Sequence, residues 1–209
     1  MKPEDWEPHY RRILEYFGFS REDDERSAKI LSELLPGNDI GLLQKTIFQR
    51  DCIVCGNAPS LSAEIETADF QNKVVIAADA AARVLFIKGI RPDIILSDMD
   101  GMDDDFLEMN DTGTILVLHA HGDNIPLVLS WVPKVTGPVV GTTQSTPLDN
   151  VYNFGGFSDG DRCVFAAHEM GAKSVELIGF DLDDMHVDPV KHGKLMIARD
   201  LLKLAGHDV

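Results

Sequence analysis

The sequence predicts an α/β fold: a doubly wound, mostly parallel, Rossmann-like sheet with a helical N-terminal extension. Three observations carry this. From residue 51 onward, short apolar runs rich in Val and Ile recur without apolar/polar alternation, the pattern of strands buried on both faces. The stretches between the runs are long enough for crossover helices, so the strands pair in parallel. Residues 4–35 instead carry charges at helical spacing around Trp6, Ile13, Leu14, Phe17, Ile30, Leu31 and Leu34.

Taken in order, two helices come first, broken near Gly18 and closed by Pro36-Gly37-Asn38. The strands then fall at Cys52–Cys55, Val74–Ala78, Ile94–Leu96, Ile115–Leu118, Val139–Val140 and Val175–Ile178. This divides the chain into a helical segment, 1–50, and an α/β catalytic domain, 51–209. A length of 209 residues suits one domain, or one domain with an appended piece. The apolar stripe of the first segment serves a homodimer interface, a lid or a packing layer equally well.

Composition narrows the function classes. The 35 acids and 19 bases leave a net charge of −16, which excludes a broad basic footprint for nucleic acid or an anionic membrane. No apolar run reaches the ~20 residues of a membrane-spanning helix, and Met1-Lys2-Pro3-Glu4-Asp5 is too polar for a signal peptide, so a cytoplasmic protein is expected. Cys52 and Cys55 lie within a strand, away from the helix terminus that activates redox thiols, and read with Cys163 as buried small hydrophobes. Residues 51–150 hold fifteen of the acids and only five bases, so the negative charge is concentrated among the first strands.

Ligands of such sheets gather outside the carboxyl ends of the strands. The first run ends in Gly56-Asn57-Ala58-Pro59-Ser60-Leu61, a turn that either presents amides to a phosphate or is closed by a Ser60 cap. Asp79 follows the second run and Ser97-Asp98-Met99-Asp100-Gly101 the third, putting carboxylates where neighbouring strands stop. Asp79, Asp98 and Asp100 suit Mg²⁺, a hard cation that takes carboxylate oxygens and completes its shell with water and substrate phosphate. His119-Ala120-His121-Gly122-Asp123-Asn124 follows the fourth run and supplies groups for proton transfer or phosphate contact. Gly141-Thr142-Thr143-Gln144 offers hydroxyls and an amide. Asn153-Phe154-Gly155-Gly156-Phe157-Ser158-Asp159-Gly160-Asp161-Arg162 offers glycines for close approach and a rare cation, since Lys134 is the only base between residues 92 and 161. The stretch Asp181–His192, with Asp183, Asp184, His186 and Asp188, is either a second acid cluster near the site or a solvated loop, and the loop is favoured because its strand is the last and distant from the cleft.

These motifs, in this order from about residue 5 to 185, resemble those of the archaeal 6-hydroxymethyl-7,8-dihydropterin pyrophosphokinase family. More remotely they are similar to the catalytic domain of thiamine pyrophosphokinase. The most specific parts are His119–Asn124 and Gly155–Arg162; Ala58 stands where the family pattern has glycine. The resemblance implies Mg²⁺-dependent transfer of diphosphate from ATP to the pterin hydroxymethyl group, with AMP leaving, in methanopterin or folate synthesis. It implies metal contacts from Asp79, Asp98 and Asp100. Nucleotide contacts would come from Gly56, Asn57, Pro59, Ser60, Gly141, Thr142, Thr143, Gly155, Gly156 and Asp159. By residue type, His119, His121 or Asp123 would orient or deprotonate the attacking hydroxyl and Arg162 would steady phosphate. Asn124 and Gln144 would read the pterin edge, with Phe154 or Phe157 stacking on its ring. Two other classes fit parts of the pattern: an aspartate-based phosphatase using Asp98-Met99-Asp100-Gly101, and a non-catalytic nucleotide- or pterin-binding module.

Overall fold

The computed structural model describes residues 1–209. Helix α1 (Pro3–Phe17) starts with proline in its first turn and ends at Gly18, whose φ of 70° supplies the left-handed cap. Ser20 then caps α2 (Arg21–Leu34), accepting from the Asp23 amide at 3.3 Å. A third helix that the sequence pattern does not announce, α3 (Ile40–Ile47), precedes the sheet. The remaining elements alternate: β1 (Asp51–Cys55), α4 (Leu61–Glu64), β2 (Val74–Ala78), α5 (Ala81–Ile87), β3 (Ile94–Ser97), α6 (Asp104–Asp111), β4 (Ile115–Ala120), α7 (Ile125–Trp131), β5 (Val139–Thr143), β6 (Val151–Tyr152), α8 (Asp159–Glu169), β7 (Ser174–Ile178) and α9 (Pro189–Leu204).

All seven strands are parallel, in the order β6-β5-β4-β3-β2-β1-β7. The six expected strands are present; β6, two residues long, is the addition. The chain steps outward from β1 to β6, then α8 carries it back so that β7 pairs on the other side of β1. One face of the sheet, with Ile53, Val75, Ile95 and Leu116, packs with Ala28 and Leu31 of α2 and the apolar sides of α4–α7. The opposite face, with Val54, Ile76, Leu96 and Val117, packs with Leu43 and Ile47 of α3, Cys163 and Val164 of α8 and Leu202 of α9. Helices on both faces explain why the central runs are continuously apolar. The edge strand β7 is the exception: Ser174 and Glu176 are exposed, and Glu176 pairs with Lys73. No helix is long and apolar enough to cross a membrane. All three cysteines are free and buried.

Candidate active site

The carboxyl ends of β1–β5 and β7 open onto two adjoining cavities. The first, about 280 Å³, lies where β1 and β7 diverge, the switch point at which open α/β sheets bind ligands. Gly56–Pro59 from the turn after β1, Gly179–Leu182 after β7 and Leu195 and Ala198 of α9 line it. The second, about 460 Å³, is polar: Asp79, Asp98, Asp100, His121, Asp123, Gln144, Arg162, Lys191 and Lys194 face it, with Phe19 and Phe157. Asp79, Ser158, Asp159 and Lys191 border both.

Close backbone packing shapes the first cavity. A Cβ on Gly56 would lie 2.5 Å from the Gly179 carbonyl, so only glycine lets β1 and β7 meet there. Ala58 donates its N–H to that same carbonyl at 2.9 Å and has no left-handed φ, so alanine serves where the family pattern has glycine. Ser60 makes no capping bond and lines neither cavity.

The carboxylates of the second cavity sit on constrained backbone. Asp79 and Met99 both have positive φ, 44° and 71°, a cost that non-glycine residues bear mainly at functional turns. Met99 is fully buried, and the turn leaves Asp98 half-buried and Asp100 exposed on either side of it. Ser97 Oγ donates to Asp79 Oδ1 at 2.5 Å and accepts from the Met99 amide at 2.7 Å, locking the two turns together. Burial raises the pKa of Asp79, and the charge of Asp98 adds to the effect. Burial acts in the same direction on Asp98. It is outweighed by the hydrogen bond from His121 (Nε2 to Oδ2, 3.3 Å), the charge of Arg162 and the Asp100 amide, which together hold Asp98 down at about 2. Asp159 goes the other way. Burial, reinforced by Asp98, Asp79 and Asp161, pushes it up to about 8 although Arg162 Nη1 lies 3.3 Å from its Oδ1.

Several expected site residues lie behind the cavity wall. His119 is buried, and burial together with the nearby charges of Arg162 and His121 drives its pKa well below the usual histidine value. Thr142 Oγ1 donates to the Leu118 carbonyl, so it accepts from His119 Nδ1–H at 3.0 Å. His119 is therefore a neutral ring beneath the cavity and a poor proton acceptor. Asn124 has no group left for a ligand: Nδ2 donates to the carbonyls of Asp98 and His119 (2.8 and 2.7 Å), and Oδ1 accepts from the His121 amide (3.0 Å). It clamps the β3 and β4 ends together. Thr143 bonds Ser145 at 3.1 Å, and Gly141 lies where a Cβ would meet Leu35 at 2.6 Å; with Thr142 these are packing positions. Phe154 stacks on Tyr152 with ring centroids 6.0 Å apart, outside both cavities. Gly155 and Gly156, with φ of 86° and 90°, turn the chain against α8, where a Cβ on Gly156 would lie 2.7 Å from Arg162 Cα. The glycines thus serve the approach of the loop to its own helix.

The stretch after β7 is corrected in the opposite direction. β7 lies beside β1, so Asp181, Leu182 and Asp184 reach the first cavity, while Asp188, Lys191 and Lys194 reach the second. Sequence reasoning missed the two lysines and Phe19; nothing local marks them, because only the strand order brings them to the site.

No three His, Cys, Asp or Glu side chains close around a point as an all-protein metal cage. The donor set facing the second cavity nevertheless fits Mg²⁺: hard carboxylate oxygens on an open wall, leaving positions that substrate oxygens and water complete.

A model of the family described as "6-hydroxymethylpterin diphosphokinase MptE-like" matches residues 26–186. Three relatives are named 6-hydroxymethyl-7,8-dihydropterin pyrophosphokinase. That of Pyrococcus furiosus is 43% identical over 187 residues, covering 87% of this chain and 78% of its own. That of Methanothermobacter thermautotrophicus is 37% identical over 221 residues, covering 97% and 94%. The Methanocaldococcus jannaschii protein is 38% identical over 195 residues, covering 87% and 80%. Motif order, strand-end site and these matches agree: the chain belongs to the MptE-like family of 6-hydroxymethylpterin diphosphokinases.

Proposed function

We propose that this protein transfers diphosphate from ATP to the hydroxymethyl oxygen of 6-hydroxymethyl-7,8-dihydropterin, releasing AMP with Mg²⁺ as the required cation, in the cytoplasm. The observation that carries the reading is the pair of adjoining cavities sharing Asp79, Ser158, Asp159 and Lys191. A two-substrate transfer needs two sites meeting at one wall. The smaller cavity, with Phe180 and the Gly56–Pro59 turn, takes the nucleoside. The larger takes the triphosphate and the acceptor, with Phe157 and Phe19 flanking the pterin ring and the Gln144 side chain near its edge.

Diphosphate transfer requires the alcohol oxygen to attack the β-phosphorus while the bond from that phosphorus to the AMP oxygen breaks. The hydroxyl proton goes to a group on the cavity wall. With His119 buried and neutral, the wall groups able to accept or orient it are the His121–Asp98 pair and Asp123. Arg162, Lys191 and Lys194 hold phosphate oxygens, and the α8 amides beginning at Asp159 favour an anion at the same place. Asp79, Asp98 and Asp100 would hold Mg²⁺, which would supply the remaining charge neutralisation. Positioning of the two substrates provides the rest of the rate.

The test is product analysis. The protein is incubated with ATP, Mg²⁺ and 6-hydroxymethyl-7,8-dihydropterin, with thiamine as a parallel acceptor, and AMP, ADP and phosphate are resolved. AMP formed one-to-one with pterin diphosphate, and only with the pterin, supports the reading. ADP, free phosphate or no turnover overturns it, phosphate release pointing to the phosphatase class.

A further inference from the structure

Asp24 lies on α2, far in sequence from any strand end and ahead of the segment the family model matches. It is only 2% exposed, and its carboxylate is saturated from three directions. Oδ2 accepts from the Tyr10 hydroxyl at 2.7 Å and from Gln144 Nε2 at 2.8 Å, and Oδ1 accepts from the Gly122 amide at 2.7 Å. Gln144 Oε1 in turn accepts from Arg162 Nη2 at 3.0 Å, and Arg162 Nη1 faces Asp159.

We infer that Asp24 is a positioning residue that fixes the Gln144 amide and, through it, the Arg162 guanidinium; the inference rests on the proposed contact of Arg162 with phosphate. The two ends of a glutamine amide are nearly equal in shape, so hydrogen-bond partners decide which way it points. A carboxylate only accepts, so the NH₂ end must face Asp24. The oxygen is then left for the guanidinium, which only donates. The order donor, acceptor, donor, acceptor along Arg162, Gln144 and Asp24 admits one orientation. The same carboxylate ties down the Gly122 turn between His121 and Asp123, where a Cβ would lie 2.7 Å from Asp23 Cβ. One side chain of the N-terminal helices thereby sets two walls of the larger cavity.

The test compares D24N, Y10F and the swap D24N/Q144E, using the full chain. The first readout is the ¹⁵N-labelled Arg162 Nε–H resonance, assigned with R162K and recorded without ligand. The second is affinity for inorganic triphosphate with Mg²⁺, by calorimetry, and thermal melts report folding. In D24N the side chain keeps one acceptor oxygen and no charge, so it cannot accept from Tyr10 and Gln144 on one side and from the Gly122 amide on the other, and the Gln144 amide loses its charged anchor. The resonance is expected to shift or broaden, and affinity to fall about tenfold, the scale of a lost charge-assisted bond. Y10F removes a different donor to the same oxygen, so it lowers Tm while leaving resonance and affinity within twofold. The swap keeps the total charge and again sets an acceptor towards Arg162, so it brings the resonance back. Unchanged resonance and affinity in D24N, or equal changes in Y10F, overturn the proposal. If D24N does not fold, a folded swap whose Arg162 signal stays displaced does so as well. Absence of triphosphate binding by the wild type defeats the functional reading, while the resonance still decides the role of Asp24.

Discussion

The Asp79 carboxylate occupies the space that a side chain on Gly101 would need: a Cβ built on Gly101 overlaps Asp79 Oδ2. The two turns after β2 and β3 are thus fitted to each other, with the Ser97 hydroxyl donating to the same carboxylate. Gly101→Ala is expected to push Asp79 out of place, at an overpacking cost of about 1–3 kcal/mol. Turnover should fall at least tenfold, beyond what the loss of folded protein in a thermal melt explains. Wild-type turnover would remove Asp79 from the site.

Asp98→Asn and Asp100→Asn should each abolish pyrophosphokinase turnover with a cooperative melt retained, because both carboxylates face the cavity and neither supports the core. Since no all-protein cage is present, Mg²⁺ alone should show no tight, saturable binding, whereas Mg²⁺ with ATP should bind and lose affinity in both variants. Calorimetry with and without nucleotide checks this, and chelation of Mg²⁺ should stop turnover.

Asp159 gives a pH signature. Its folded pKa of about 8 stands above the ordinary carboxylate value of about 3.9. Between those values the native state holds a proton that the unfolded chain releases, so this group's contribution to stability falls as pH rises from about 4 to 8 and is flat above. Asp159→Asn abolishes that dependence. Its ligand-free Tm at pH 8 should exceed that of the wild type by about 3 °C or more, with the difference shrinking towards pH 4. An equal offset at both pH values would contradict the assignment.

Lys191 and Lys194 carry exposed charges to the cavity from α9. Lys191→Ala and Lys194→Ala should raise KM for ATP by about three- to tenfold while leaving Tm nearly unchanged, because exposed charges contribute little to stability. The effect should shrink at high ionic strength. A fall in kcat with unchanged KM would argue against phosphate binding by these residues.

The three thiols should be silent. Burial raises Cys52 to about 11 and Cys55 to about 12, and it lifts Cys163 well above the usual thiol value. A thiol reagent at pH 8 should therefore label none of them until denaturant is added.

Much of this was legible in the sequence, for physical reasons that differ by element. Strands covered on both faces must be apolar throughout, so Val74–Ala78 or Ile115–Leu118 declares itself; β6, two residues with Tyr152 half-exposed, has no room for a pattern. Carboxylates directly after strands were legible because a parallel sheet gathers its strand ends. What the sequence does not distinguish is a residue at the edge of the cavity from one just beneath it. His119 and His121 share a motif, yet His119 lies buried within β4, whereas His121 comes just past the end of the strand and faces the cavity. The glycines 155 and 156 looked like a phosphate loop because the same backbone freedom serves packing against α8. Lys191 and Lys194 were hidden by topology. Asp24 was hidden among Glu22, Asp23 and Glu25, an acidic run that reads as a solvated helix face until the fold selects one of its members.

The two ends of the sheet govern how copies of the chain can meet. β6 offers only two residues of strand, and β7 presents Glu176 paired with Lys73, beside the Lys173–Asp51 pair. Neither border is a good template for a further strand, since brevity and charge are the usual defences against edge-to-edge growth. Any self-association would therefore be made by helical surfaces, with each sheet remaining seven strands wide. The same borders protect the folded protein from fibrillar aggregation, leaving its apolar strands safe for as long as the helices cover them.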